Sequence, residues 1–376
     1  MRILYFTRDY TTHDLRFLQA LAKTEHQVYF LQLERRGHTL EDRPLPVEVE
    51  QVRWAGGRGP VRLHDGPRLL LDLKRAIRRI KPDLIQAGPL QRSAFLAALT
   101  GFRPLLSMSW GYDLLVDANQ NAAWRWATRF TLKHSSAMLG DCQTIRQLAV
   151  AHGMPAERIV TFPWGIDLDH FTPLPPDLSP VEGKAQTPLS PSPFILLSTR
   201  GWESIYGVDV IARAFVTAAR QAPELQLIML GNGSLAASLR QIFARGNVED
   251  QVIFPGQVRY AGLPRYYQMA DLYVSASHSD GSSISLLEAM ACGKPVLVSD
   301  IPGNREWVSP AGGAGWLFAD GDADALAQAI LHAVAQRRQL PEMGRRARAL
   351  AEERADWKIN FPLLFKAYDI ALSKTQ

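Results

Sequence analysis

Short apolar runs alternate with amphipathic stretches along this chain, and one proline- and serine-rich segment breaks the pattern into two rounds. Ile3–Phe6, Val28–Leu33, Leu84–Ala87, Pro104–Ser109, Ala137–Leu139 and Ile159–Phe162 are of strand length and rich in β-formers. Between them lie helical stretches such as Asp14–Lys23 and Leu69–Ile80. The segment Thr172–Pro193, TPLPPDLSPVEGKAQTPLSPSP, has no periodicity and reads as a linker. The pattern then restarts with Phe194–Ser198, Leu225–Leu230, Val252–Phe254, Leu272–Ser275 and Pro295–Val298. Strands that alternate with helices build parallel sheets covered on both faces. The expectation is therefore α/β, with two Rossmann-like domains facing each other across a cleft. Their bounds are 1–171, a linker 172–193, and 194–356. Sequence alone does not settle whether the last helical stretch, Trp357–Ala371 within about 357–376, returns to the first domain.

A chain of 376 residues is too long for one ordinary core, and 47% hydrophobic with 21% charged residues excludes disorder for most of it. Two cysteines, Cys142 and Cys292, make neither a disulfide framework nor a metal-ligand spacing. The opening MRILYFTRD does not read as a signal peptide, and no apolar run approaches bilayer length. A cytoplasmic protein is expected. The net charge of +5 sits in the first half, with 23 Lys/Arg against 17 Asp/Glu over residues 1–170. That favours an anionic partner or surface there. Leu69–Lys81 and Ala123–Lys133 mix basic and large apolar residues at helical spacing. They suit either an anionic membrane surface or a core-facing helix with a solvated basic face.

The densest chemical signal is Ser275–Asp300, SASHSDGSSISLLEAMACGKPVLVSD. A strand ends near Ser275 and a helix begins near Ser283 to Ser285, so the amides of Gly281, Ser282, Ser283 and Ile284 make a ready phosphate site. Glu288, just inside that helix, could accept from sugar or ribose hydroxyls. Ser285-x-x-Glu288 also fits a capping box, a purely local role. Arg200, at the end of a strand, could clamp a diphosphate bidentately or form a surface ion pair with Glu203 or Asp209.

These stretches resemble glycosyltransferase family 4. Asp280 and Glu288 fit its E-x7-E motif, and AMACGKPV from Ala289 to Val296 fits the strand that follows. Gly165–Pro173 resembles the end of the family's first domain. Leu230–Gly233, LGNG, resembles its Gly-x-Gly turn, and Phe254-Pro255-Gly256 opens its base-contacting loop, near Val258. The resemblance implies a GT-B enzyme that moves a sugar from a nucleotide donor with retention of configuration. The acceptor hydroxyl would be carbohydrate or lipid-linked, as in polysaccharide, lipopolysaccharide or glycolipid biosynthesis.

It implies that Glu288 holds the donor ribose, Asp280 the transferred sugar and Arg200 the diphosphate. Gly201, Gly231, Gly233, Val258 and Gly281 to Ile284 would line the donor. His13 matches the histidine after the family's first strand, and Asp113 in Trp110-Gly111-Tyr112-Asp113 could orient the acceptor or cap the next helix. Asp141 is a weaker candidate of the same kind.

The chain departs from the family pattern before His13, where Asp9-Tyr10-Thr11-Thr12 replace the usual glycines, and at three single positions. Asp280 is one methylene shorter than the usual glutamate, Trp110 stands where histidine is common, and Tyr206 replaces the lysine before Gly207. Compensation for that lysine by a basic residue such as Arg259 or Arg265 is expected.

Asp167-Leu168-Asp169 is a D-x-D, but no essential metal or other cofactor is expected. Gly231-Asn232-Gly233 lacks the third glycine of a dinucleotide fingerprint. No nucleic-acid partner is expected. A peripheral position on the inner face of the cell membrane fits a lipid-linked acceptor. The alternatives are a GT-B nucleotide-sugar epimerase, which would need no acceptor, and a non-catalytic nucleotide-sugar-binding protein.

Overall fold

The computed structural model describes residues 1–35, 43–174, 193–309 and 312–373. Its contacts divide the chain into one unit of Met1–Trp164 with Ile359–Gln376, and a second of Gly165–Lys358.

In the first unit the strands are β1 (Arg2–Thr7), β2 (Gln27–Gln32), β3 (Val49–Gln51), β4 (Leu84–Gly88), β5 (Leu105–Met108), β6 (Ala137–Gly140) and β7 (Ile159–Thr161). They form one sheet in the order β3-β2-β1-β4-β5-β6-β7, and every pairing is parallel. The central strands β4, β5 and β6 are buried at every position, as expected for a parallel sheet covered on both faces. Strand β3 went unread in the sequence because Val49 alone of its three residues faces the core.

The sheet of the second unit holds β8 (Phe194–Ser198), β9 (Leu225–Leu230), β10 (Val252–Gly256), β11 (Leu272–Ser275), β12 (Val296–Ser299) and β13 (Gly315–Phe318), ordered β10-β9-β8-β11-β12-β13 and all parallel. The run Ala311–Gly315 looks like a turn in sequence, yet Gly315 opens β13 opposite Val296. A Cβ there would lie 1.9 Å from the Val296 carbonyl, so glycine is what lets the edge strand close in. In both sheets the connection reverses direction beside the first strand. The gaps between the carboxyl ends of β1 and β4, and of β8 and β11, are the switch points where α/β sheets bind ligands.

Residues 165–171 pack with the second unit. The Ile166 amide donates to the Ala355 carbonyl at 2.7 Å, the Trp357 amide donates back to Ile166 at 3.0 Å, and Phe171 lies edge-on to Tyr267. The final helix, Leu363–Ser373, belongs to the first unit. It buries Leu364, Ala367, Tyr368 and Ala371 along one face, and the Tyr368 hydroxyl donates to Gln86 Oε1 of β4 at 2.6 Å. Pro362 separates it from the short helix Trp357–Asn360, so the last apolar stretch is two helices rather than one. Of the linker, Thr172–Leu174 and Pro193 are described, and the remainder lies outside the described residues.

Candidate functional site

The carboxyl ends of β8 and β11 bring together the second unit's chemical residues. Arg200 follows β8, and its guanidinium is held on several sides. Nη2 lies 2.8 Å from Asp280 Oδ2, and Nη1 donates to Ser283 Oγ at 2.8 Å and Ser285 Oγ at 3.1 Å. The Tyr206 ring packs against its face, with Cζ 4.1 Å from the centroid. The Arg200 and Asp280 side chains are 13% and 20% exposed, while the paired Asp280 Oδ2 and the Arg200 Nε are themselves buried. Burial alone would lower the Arg200 pKa. Asp280, helped by the nearby tyrosines, outweighs that and holds it above its ordinary value. Arg200 is therefore not a surface partner of Glu203 or Asp209. Glu203 instead accepts from the Ser234 amide, and Asp209 pairs with Arg213.

Tyr206 occupies the place of a second cation with an aromatic ring that stacks on the first. Arg259 and Arg265, the expected replacements, are exposed, one just before the turn Tyr260–Gly262 and the other within the helix Leu263–Met269.

The motif after β11 is carried by a loop and the helix Ile284–Ala291, with Ser283 at its N-cap. Ser285 does not form the capping box that its spacing with Glu288 suggested. Its hydroxyl accepts from Arg200 and from Tyr273, whose phenol donates at 2.8 Å. Glu288 is 7% exposed and receives the Tyr267 hydroxyl on Oε2 at 2.8 Å. Two further residues brace the loop without any signal that the motif alone would give. A Cβ at Gly303 would lie 2.4 Å from the carbonyls of both Asp280 and Gly281. The Trp307 indole donates to Ser282 Oγ at 3.4 Å.

The glycines of the loop after β9 also act by permitting close approach. Gly231 has φ +108°, and its Cβ would lie 2.9 Å from the Arg200 carbonyl. At Gly233 a Cβ would lie 2.5 Å from the Trp202 carbonyl. Trp202 fixes this contact, since its indole donates to Leu230 and its amide to Asn232, both at 3.0 Å. Gly201 sits in the neighbouring loop, after β8, beside Trp202. Val258 is partly buried after β10 and packs into the apolar cluster that contains Tyr267, Leu286 and Leu287.

The first unit treats its candidates differently. His13 lies one residue into the helix Thr12–Leu21, which is capped by Thr11 and Asp14, so His13 is not the cap. Its ring lies 5.4 Å from that of Trp110, tilted by 31°, and Phe17 and Trp164 meet Trp110 edge-on. The histidine after β1 and the tryptophan that departs from the family pattern after β5 are thus neighbours.

Asp113 is 2% exposed and engaged on both oxygens. Oδ1 accepts from Ser109 Oγ at 2.5 Å and the Leu114 amide at 3.0 Å, and Oδ2 accepts from the Leu90 amide at 3.0 Å. These bonds tie the loop after β4 to the loop after β5. Burial raises the Asp113 pKa to about 6 against these bonds, and the capping acid Asp14 is raised to about 6 in the same way. Asp141 is buried after β6.

The D-x-D carboxylates are occupied locally. Asp167 Oδ1 accepts the amides of Asp169 and His170, and Asp169 pairs with Lys358 at 2.5 Å. The helix Gly66–Ile80 buries Leu69, Leu73, Ala76 and Ile80, which accounts for most of its apolar residues, while Leu71 is exposed. In Ala122–His134, Trp126 is exposed, with its ring tilted against Phe130 and edge-on to Phe95. Among the described residues no helix is long and apolar enough to cross a membrane.

Residues 182–350 match the family described as Glycosyl transferases group 1, and residues 11–170 match Glycosyltransferase Family 4. A GDP-mannose-dependent monoacylated alpha-(1-6)-phosphatidylinositol monomannoside mannosyltransferase of Corynebacterium glutamicum is 25% identical over 62% of this chain and 58% of its own length. A D-inositol 3-phosphate glycosyltransferase of Xylanimonas cellulosilytica is 32% identical over 54% of this chain and 48% of its own. The chain therefore spans about half the length of these curated relatives. Among solved structures, Anabaena HepE in complex with UDP-glucose superimposes with a TM-score of 0.78 over 98% of this chain and all of that one, at 20% identity, a likeness of fold. Both halves of the sequence match, and the second unit gathers the family's acidic motif and its arginine at one switch point; the chain belongs to the group 1, family 4 glycosyltransferases.

Proposed function

We propose that this protein transfers a sugar from a nucleoside-diphosphate sugar to an acceptor hydroxyl with retention of configuration. The observation that carries this reading is the Arg200 guanidinium, braced by Ser283, Ser285 and Tyr206 and paired with Asp280 in side chains that keep a part of their surface exposed. In the proposed complex the donor diphosphate takes Nη2 from Asp280 and meets the amides of Gly281 to Ile284, while Asp280 turns to the sugar hydroxyls and Glu288 to the ribose. The bond from the anomeric carbon to the diphosphate oxygen breaks, and charge gathers on the leaving phosphate where Arg200 stabilises it. The acceptor oxygen bonds to the anomeric carbon on the same face, and its proton passes to that phosphate. No protein nucleophile is needed.

The reading extends to a carbohydrate or lipid-linked acceptor in polysaccharide or glycolipid synthesis. It also extends to peripheral contact with an anionic membrane through the basic faces that carry Leu71 and Trp126. Metal independence is part of it, because Asp167 and Asp169 are already engaged by backbone amides and Lys358.

The test is a thermal-shift screen against UDP, GDP and ADP. Saturation at about a hundred times Kd adds roughly 2.7 kcal/mol, several degrees in Tm. Stabilisation by one nucleotide that is lost in Glu288→Ala supports the reading. No response to any of the three, or activity abolished by EDTA and restored by manganese, would count against it or against metal independence respectively.

A further inference from the structure

Tyr267, on the helix Leu263–Met269, is fully buried, and its hydroxyl touches two groups. It donates to Glu288 Oε2 at 2.8 Å and lies 3.0 Å from Thr199 Oγ1. A phenol has one hydrogen, and an ionised carboxylate can only accept. The direction of the chain is therefore fixed. Thr199 donates to the Tyr267 oxygen, and Tyr267 donates to Glu288. Thr199 is also the residue before Arg200, at the carboxyl end of β8.

We propose that Tyr267 is a positioning residue that ties Glu288 to the Arg200 loop, so that the groups for ribose and diphosphate are held at one fixed spacing. The proposal rests on the donor-site reading above.

Three features support it. The ring is wedged between Phe171 and Tyr273, with centroids 5.9 and 6.0 Å away, so the hydroxyl has little freedom to leave. Burial, then the neighbouring Glu288, pushes the phenol well above its ordinary pKa, so it stays a donor throughout the accessible range. A parallel chain, Tyr273 to Ser285 with Arg200 donating to the same Ser285, fastens Arg200 to the helix that bears Glu288. Two buried phenols thus pin both ends of the donor site from beneath.

Tyr267→Phe removes one oxygen and leaves the ring packing intact. A hydrogen bond to a carboxylate favours its charged form, so its loss raises the proton affinity of Glu288. The Glu288 carboxyl carbon is followed by NMR across pH in wild type and Tyr267→Phe, with Glu288→Gln for assignment. The variant is expected to titrate at higher pH, with about a tenfold gain in proton affinity. Affinity for whichever of UDP, GDP and ADP the wild type binds is expected to fall roughly tenfold at pH 7 and further at lower pH. An unchanged Glu288 titration, or unchanged nucleotide affinity despite an altered Tm, overturns the positioning role. A wild type that binds none of the three nucleotides overturns the donor-site reading, and the carboxyl titration then decides the role of Tyr267 by itself.

Discussion

The two units share a doubly wound plan but treat charge at their strand ends in opposite ways. In the second, Arg200 and Asp280 pair with each other at the sheet's switch point, and both side chains stay partly exposed. In the first, Asp14 and Asp113 lie near the corresponding ends of β1 and β5, and each is consumed by internal donors, Asp14 by Thr11 and Tyr5, Asp113 by Ser109 and the amides of Leu90 and Leu114. An acid beside a loop is therefore no sign of chemistry until its lone pairs are accounted for. One sheet pairs its charges with each other at a partly exposed switch point, the other commits its acids to its own loops.

The largest test of that contrast is Arg200→Ala, for which turnover is expected to fall about 10²- to 10³-fold as for loss of one preorganised transition-state donor. Retained turnover in a steady-state assay would remove the clamp.

Next comes a pair of glycines. Gly303→Ala sets a methyl against the carbonyls of Asp280 and Gly281, and nucleotide affinity is expected to drop roughly tenfold through misplacement of the motif. Gly88→Ala in the first unit sets one 2.5 Å from the Met108 carbonyl, and is expected to cost about 2 kcal/mol of stability at unchanged nucleotide affinity. Calorimetric titration with denaturant unfolding separates the two, and equal loss of binding in both would erase the distinction.

Tyr206→Ala removes the ring from under Arg200. A cation–π contact of about 1 kcal/mol implies roughly a fivefold loss in turnover. An increase in turnover would mean that the ring restrains Arg200 rather than orients it.

The smallest effect concerns pH. Burial raises the folded-state pKa of Asp113 to about 6, above its unfolded value, so the native state binds that proton more tightly. Its contribution is fullest below the unfolded value and declines as pH rises through about 6. The stability of wild type relative to Asp113→Asn is thus expected to be about 1 kcal/mol greater at pH 5 than at pH 7. Urea unfolding at both values checks this, and a difference that grows with pH would reverse the assignment.

Much of the architecture was legible because parallel strands buried on both faces must be apolar throughout, and runs such as Phe194–Ser198 and Leu225–Leu230 say so directly. Two of the four edge strands were not, since Val49–Gln51 and Gly315–Phe318 satisfy only one face or need a glycine that reads as a turn, whereas the other two edges, β7 and β10, keep apolar runs that could be read. The motif residues Arg200, Asp280 and Glu288 could be named from their pattern. Their supports could not, because Tyr267, Tyr273 and Gly303 reach them through space, and nothing local distinguishes a phenol that braces a carboxylate from one that fills a core. The capping reading of Ser285 failed for the same reason, as Arg200 and Tyr273 claimed its hydroxyl first.

The return of Leu363–Ser373 to the first sheet also has a consequence for synthesis. A ribosome completes Met1–Trp164 about two hundred residues before it supplies the helix that covers β4 to β7. Through all of that interval the nascent first unit presents an uncovered apolar face and a Gln86 still waiting for Tyr368. The second unit, continuous in sequence, can settle while the first is still unfinished, and the half made first is the half completed last.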